Sequence, residues 1–546
     1  MRFACCILSI LVLLALGSTS LAQDRPEVRI ENGTSQFLLN GKQFLMLAGE
    51  LGNSSSGTAA QADAILPRLA KLHFNTVLMP VAWDQIEPAE GQFDFSIPDH
   101  WIDVARHQHL HLVFLWFGSW KNAFSEYAPQ WVLADTHRFP RAFSADGAPL
   151  EILSPLGEEI MRADSRAFAA LMRHLRATDS TQQTVLMIQV ENEIGVLGLG
   201  GRDRSNAANR LFAQPVPAPL LAYIRSHRTQ LTPEIAAQFN PAGNNWHSVF
   251  GDAADEIFMA WHYAQFVNQV AAAGKKEYAL PMYMNAQLPA PFERAGDYPS
   301  GGPYPSMQPV YRAAAPALDF FAPDIYWPDF EQWIERYQRQ GNPVFVPEAR
   351  LDVAPFNALY TFGQARGFGF SPFAVDSLPA TLDATQPGPA LSDEYQLLDQ
   401  LQPLLIAAQQ NNATRALVLH ELSMRPSQTV SLGGYLFRAS LARTWPARSL
   451  AEKDGAMLVM ETGPNEFYIL GAGLTVDFQR DPDTDNQAAG IAAIDRLAFV
   501  NGNWIAQERL NGDQSNQGRQ LLMAAHAFHV YRVRLYTYSR EQAAAP

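Results

Sequence analysis

The chain has 546 residues, with 54 Asp+Glu against 40 Lys+Arg and a formal net charge of −14. A hydrophobic share of 47% excludes a disordered chain, and the acidic balance argues against nucleic acid as a partner, because phosphate binding needs clustered Lys and Arg. With 17% charged and 11% aromatic residues, the composition suits a neutral ligand such as a sugar better than an ionic one.

The first segment carries Arg2, both cysteines (Cys5 and Cys6), an apolar run from Ile7 to Leu16 and small residues up to Ala22. That is the pattern of a secretory signal peptide over 1–22, and the run is too short to span a bilayer. The expectation is an exported protein, periplasmic or secreted. Its mature form has no cysteine, no membrane segment and a core large enough to replace disulfides.

Short apolar runs then recur: Phe44–Gly49, Thr76–Pro80, His111–Phe117, Val185–Val190, Pro281–Asn285, Asp319–Ile325, Val344–Pro347 and Gly367–Phe373. Amphipathic stretches separate them, among them Ala62–Leu72, Ser165–Arg176 and Asp255–Ala273. Eight strand–helix alternations predict an α/β fold of the (β/α)8 TIM-barrel type over 23–395. An open doubly wound sheet is the competing architecture, but no GxGxxG follows the first strand. From about Gln409 the runs become β-like and are punctuated by turn pairs such as Gly433-Gly434 and Asn511-Gly512. A C-terminal antiparallel β domain is expected over 396–546. The stretch Gly195–Trp246 is long for a single strand-to-helix connection.

In a barrel, chemistry gathers at the C-terminal ends of the strands. Glu193 closes the fourth apolar run in Gln189-Val190-Glu191-Asn192-Glu193, and Glu348 closes the seventh in Val344-Phe345-Val346-Pro347-Glu348. Two carboxylates on one rim are what a retaining glycosidase needs, one to protonate the leaving oxygen and one to attack the anomeric carbon. On spacing alone, an exposed loop carboxylate at Glu193 and an ion-pair partner of Arg350 at Glu348 are equally open.

Gln189-Val190-Glu191-Asn192-Glu193-Ile194-Gly195 resembles the acid/base segment of family 35 glycoside hydrolases, the β-galactosidases of clan A. Asn75–Trp83 resembles the family's second strand, and Glu87-Pro88-Ala89-Glu90-Gly91-Gln92-Phe93-Asp94-Phe95 is the most specific match. The resemblance covers about residues 35 to 375. The C-terminal part looks like that of a bacterial branch associated with xyloglucan breakdown.

The resemblance implies Glu193 as acid/base, Glu348 as nucleophile, Asn192 as a ligand of the sugar 2-hydroxyl and Tyr326 as the tyrosine that holds the nucleophile. Asn285, at the end of the fifth strand, is a candidate for a sugar hydroxyl, as is Glu50. Trp83, Trp116 and Trp120 are candidates for stacking on sugar faces, with core packing as the alternative for each.

The chain departs from the family pattern in three places: at Gly49-Glu50-Leu51-Gly52-Asn53, at Trp116-Phe117-Gly118-Ser119-Trp120, and at Ala349-Arg350 after the nucleophile. The implied function is exo-acting removal of terminal β-galactose from plant oligosaccharides such as xyloglucan fragments. A family 42-like β-galactosidase, a β-glucosidase, a β-mannosidase and a non-catalytic carbohydrate-binding protein are the alternatives.

No cofactor is expected. Asp481-Pro482-Asp483-Thr484-Asp485-Asn486 has calcium-loop spacing but lacks the Gly at its sixth position and the Glu at its twelfth, which favours a solvated turn. An oligosaccharide substrate is the expected partner, and homo-oligomers are compatible with the sequence.

Overall fold

The computed structural model describes residues 25–198, 200–379, 387–421, 426–444, 449–451, 453–481, 487–525 and 527–539. The expected signal peptide and most of the Asp481–Asn486 turn lie outside the described residues.

All eight expected barrel strands form: β1 (Met46–Glu50), β2 (Thr76–Ala82), β3 (His111–Lys121), β4 (Val185–Asn192), β5 (Met282–Gln287), β6 (Phe320–Ile325), β7 (Phe345–Val346 and Glu348–Ala349, either side of Pro347) and β8 (Gly369–Phe370). They pair in parallel in chain order. The two pieces of β7 close the ring, Phe345 and Val346 pairing with β8 while Glu348 and Ala349 pair with Asp324 and Ile325 of β6, respectively. Strands buried on both faces read as continuous apolar runs, which is why they stand out in the sequence.

The barrel interior is a packed core. Tyr283 stacks on Phe320 at 5.2 Å, and Phe345 on Phe368 at 5.3 Å. An N-terminal antiparallel sheet of Glu27–Glu31, Thr34–Leu39 and Lys42–Gln43 plugs the end opposite the mouth, with Phe37 reaching Phe368 at 5.8 Å. Outside the ring, the helix Glu158–Thr178 buries Ile160, Ala167, Phe168, Leu171, Met172 and Leu175, and it is one of the amphipathic stretches expected. Its first turn holds Glu158 and Glu159, which favour the helix N-terminus electrostatically. At Gly274 of the helix Ala254–Glu277, any Cβ would collide with Phe168, so the two helices approach closely only because that position is glycine.

The C-terminal region is a sandwich of a six-stranded and a four-stranded antiparallel sheet. The first strand of the larger sheet, Thr414–His420, shows how it is used on both faces. Leu417 and Leu419 join the sandwich core with Phe437, Phe467 and Val533, whereas Ala416 and Val418 join the core of the barrel and its helices. A helix, Pro387–Gln410, runs across the boundary expected at 395/396. Its Tyr395 hydroxyl donates to the carbonyls of Ala48 and Phe370 at 2.9 and 3.2 Å. The Gln409 amide donates to the carbonyls of Phe362 and Gly367. Among the described residues no helix is long and apolar enough to cross a membrane.

Candidate active site

The register of the barrel places the polar residues of the mouth. Lys121 at the end of β3 lies beside Asn192 of β4, and Asp324 of β6 lies beside Glu348 of β7. Consecutive side chains of a strand point to opposite faces, so Asn192 and Glu193 could not share a face in a regular strand. The backbone solves this by entering the left-handed region at Glu191 (φ 61°) and Glu193 (φ 45°), a conformation costly for non-glycine residues and concentrated at functional sites.

Glu191 turns away from the mouth into a buried polar layer, where its Oε2 accepts the Trp120 N–H at 2.8 Å. Asp164 lies against it and accepts from Trp116 Nε1 at 2.9 Å and from the Ser119 hydroxyl at 2.5 Å. Burial first, then the neighbouring Asp164, pushes the Glu191 carboxyl well above its ordinary range. A Cβ at Gly118 would lie 2.7 Å from Glu191 and 2.9 Å from Asp164, so glycine is required for the two carboxyls to meet there.

Glu193 and Glu348 face each other in the mouth and are both 4% exposed. One carboxylate oxygen from each of Glu193, Asp324 and Glu348 lies within 4.8 Å of the other two. Glu348 Oε1 is approached by the amides of Asn192 and Asn285, each at 3.3 Å, and Oε2 accepts the Tyr326 hydroxyl at 2.8 Å. Asn285 ties the set together: it accepts the Glu193 N–H at 2.9 Å and donates to Asp324 at 2.8 Å. The Asn122 amide donates to Glu193.

Burial, reinforced by Glu348, pushes the Glu193 carboxyl up to about 7, while Lys121 pulls it down. Glu50 is fully buried beside Glu348 and Glu193, with neither oxygen in a hydrogen bond, and burial holds it well above the ordinary range. Asp324 is raised in the same way, by burial and then by Glu348.

The cluster Glu193, Asp324 and Glu348 has the donor spacing of a divalent-cation site. Four of its oxygens, however, already receive the amides of Asn122, Asn192 and Asn285 and the Tyr326 hydroxyl, and Lys121 supplies a positive charge beside Glu193. Such donors compete with a cation for the same lone pairs and suit a polyhydroxy ligand better.

Six of the expected site residues thus come together: Glu193, Glu348, Asn192, Asn285, Tyr326 and Glu50. The tryptophans do not. Trp83 and Trp116 are wholly buried in the layer between barrel and helices, their ring nitrogens donating to Glu87 at 2.8 Å and Asp164 at 2.9 Å, and no face is left for a sugar. Trp120 is buried as well, packed edge-on against Tyr263 and Phe266. The structure adds Lys121, Asn122 and Asp324. Lys121 and Asn122 follow the third apolar run, which reads as ending at Phe117, and Asp324 lies inside the sixth run.

Residues 391–522 match a family described as a domain of unknown function, DUF5597, which spans less than half of the chain. No curated protein matches the sequence. Among solved structures, the chain is similar to the cold-adapted β-galactosidase of Rahnella sp. R3, at 16% identity and a TM-score of 0.44 over 66% of this chain and 57% of that one. It is similar to the β-mannanase of the blue mussel Mytilus edulis, at 11% and 0.42 over 69% and 97%. The catalytic domain of the β-amylase of Paenibacillus polymyxa gives 12% and 0.42 over 60% and 91%. The chain covers less than two thirds of the length of the Rahnella enzyme.

Proposed function

We propose that this chain is a retaining β-glycosidase, an exo-acting β-galactosidase of the family 35 type, which removes terminal β-galactose from plant oligosaccharides such as xyloglucan fragments. The observation that carries the reading is the opposition of Glu193 and Glu348, whose nearest oxygens lie within 4.8 Å. Retaining enzymes hold their carboxyls ~5–5.5 Å apart, and inverting enzymes leave ~6.5–9.5 Å for a water.

In the first step Glu348 attacks the anomeric carbon as the glycosidic C–O bond breaks, and Glu193 gives its proton to the leaving oxygen. In the second step the ionised Glu193 takes a proton from water. The water oxygen bonds to the anomeric carbon, and Glu348 departs as carboxylate. A carboxyl raised to about 7 is still largely protonated in weakly acidic medium and can serve as both acid and base. The preference for galactose is supported by the resemblance of Asn75–Phe95 and Gln189–Gly195 to family 35.

A panel of nitrophenyl glycosides tests the reading. Fastest hydrolysis of the β-galactoside, with the β-anomer of galactose appearing first by proton NMR, is expected. Glu348→Gln should abolish turnover of every substrate. Glu193→Gln should spare activated aryl leaving groups far more than sugar ones. No hydrolysis of any glycoside by the wild type would leave a carbohydrate-binding role.

A further inference from the structure

We infer that the seam between the barrel and the C-terminal sandwich is the binding groove for the leaving-group side of the substrate, a chain of several neutral sugars. The inference rests on the glycosidase reading above. The seam holds a cavity of about 470 Å³, walled on the barrel side by Trp327, Phe330 and Arg350 and on the sandwich side by His420 and Asp454. A second cavity of about 430 Å³ shares the Phe330 and His420 walls and continues along the seam to Gln332 and Gln428. Each is within the size range of small-ligand sites, and the walls they share place them side by side, with room for more than one sugar unit.

The groove starts beside the proposed chemistry. Trp327 follows Tyr326, whose hydroxyl bonds Glu348, and Arg350 lies two residues past Glu348. Two residues of extended chain span ~7 Å, about one sugar unit. The inner end of the site is closed by Glu50, Lys121 and Asn285, all buried, so a terminal sugar held there can extend only outward over the rim.

The walls carry an aromatic platform and polar side chains of the kind that hold sugars. Trp327 is 37% exposed, and its ring is fixed by a hydrogen bond from Nε1 to the Leu288 carbonyl at 3.2 Å. That arrangement is a platform for the apolar face of a pyranose. Some of the charged groups pair with one another, Arg350 with Asp352 at 3.0 Å and His420 with Asp454 at 2.6 Å, while Glu421 and Lys453 also line the first cavity and Asp329, Glu331 and Glu335 the second. Such pairs present oriented donors and acceptors to sugar hydroxyls.

The test compares wild type, Trp327→Ala and His420→Ala on nitrophenyl β-galactoside and on an oligosaccharide of at least four sugars that carries a terminal β-galactose. Melting temperature is followed as the control for folding. For the oligosaccharide, KM should rise about tenfold in each variant, the equivalent of one stacking or hydrogen-bonding contact. The nitrophenyl substrate should change by less than about twofold. Equal losses on both substrates, or no loss on either, overturn the inference.

Calorimetry with the galactose-free oligosaccharide separates this inference from the function it rests on. Binding to wild type that weakens about tenfold in His420→Ala supports the groove even if no glycoside is cleaved. Absence of binding to wild type overturns the groove even if the β-galactoside is.

Discussion

The Tyr326 hydroxyl donates to Glu348 Oε2 at 2.8 Å, so the carboxylate proposed to attack the sugar is held by a phenol whose own ionisation is pushed far up by burial and by that carboxylate. The phenol therefore remains a donor across the working pH range. It fixes the orientation of Glu348 and leaves Oε1 to the amides of Asn192 and Asn285.

Tyr326→Phe keeps the ring and deletes the donor. A hydrogen bond to a charged group contributes about 1.5–3 kcal/mol, so kcat on an aryl galactoside should fall about 10- to 100-fold. The melting temperature should move little, because the ring and its packing are kept. Steady-state kinetics with a thermal melt decide it; an unchanged kcat would remove Tyr326 from the machinery.

As the proposed acid, Glu193 must be protonated to assist the leaving group, and burial together with Glu348 raises it to about 7, so kcat/KM should fall as pH rises through about 7. Lys121 opposes that shift. Lys121→Met removes a positive charge that favours the ionised form, so the basic limb should move to higher pH. A pH–rate profile of the variant that coincides with wild type, or shifts downward, would refute the coupling.

The buried carboxyls also set the pH dependence of stability. Glu50, Glu191, Asp324 and Glu394 are all raised well above their ordinary values, with burial as the first cause. Above the unfolded-state carboxyl range, the native protein binds more protons than the unfolded chain, so stability falls as pH rises. The melting temperature should be higher near pH 5 than near pH 8. Glu191→Gln replaces a proton that must be kept with a neutral amide and should make that decline shallower. A melting temperature that climbs steadily from pH 5 to 8 would contradict the protonated cluster.

Chelation provides a separate check on the chemistry. Glu193 Oε2, Asp324 Oδ2 and both oxygens of Glu348 are engaged by amides and a phenol, and neither proposed displacement step calls for a Lewis acid. EDTA should leave kcat on a β-galactoside unchanged. A fall in kcat at constant melting temperature would mean that a cation occupies the carboxylate cluster after all.

What was legible in the sequence follows from burial. Parallel strands covered on both faces give unbroken apolar runs, and all eight were visible. The N-terminal strand Glu27–Glu31 was not, because most of its residues are exposed and carry no pattern. Glu193 and Glu348 were legible as carboxylates closing apolar runs. Lys121 was hidden because β3 continues four residues past the expected end, through Gly118 and Ser119, which look like a loop but pack inside. The tryptophans illustrate the opposite limit. Trp116 and Phe117 are neighbours in one strand, yet Phe117 faces the barrel interior and Trp116 the helices. Residue type gives no information about which face is turned to the site, and only the pleat decides it.

The segment that matches DUF5597 begins at Leu391 and stops at Leu522. It therefore takes Tyr395 without its acceptors Ala48 and Phe370. It also omits the strand His529–Ser539, which in the six-stranded sheet pairs with Glu466–Ala472 on one side and Gln487–Val500 on the other. Excised at those limits, the segment would have two raw sheet edges in mid-sheet and an apolar face stripped of Phe362 and its neighbours. Barrel and tail are therefore not interchangeable cassettes. They should melt in a single transition, and a tail taken from another barrel could be transplanted only together with the helix surface that it covers.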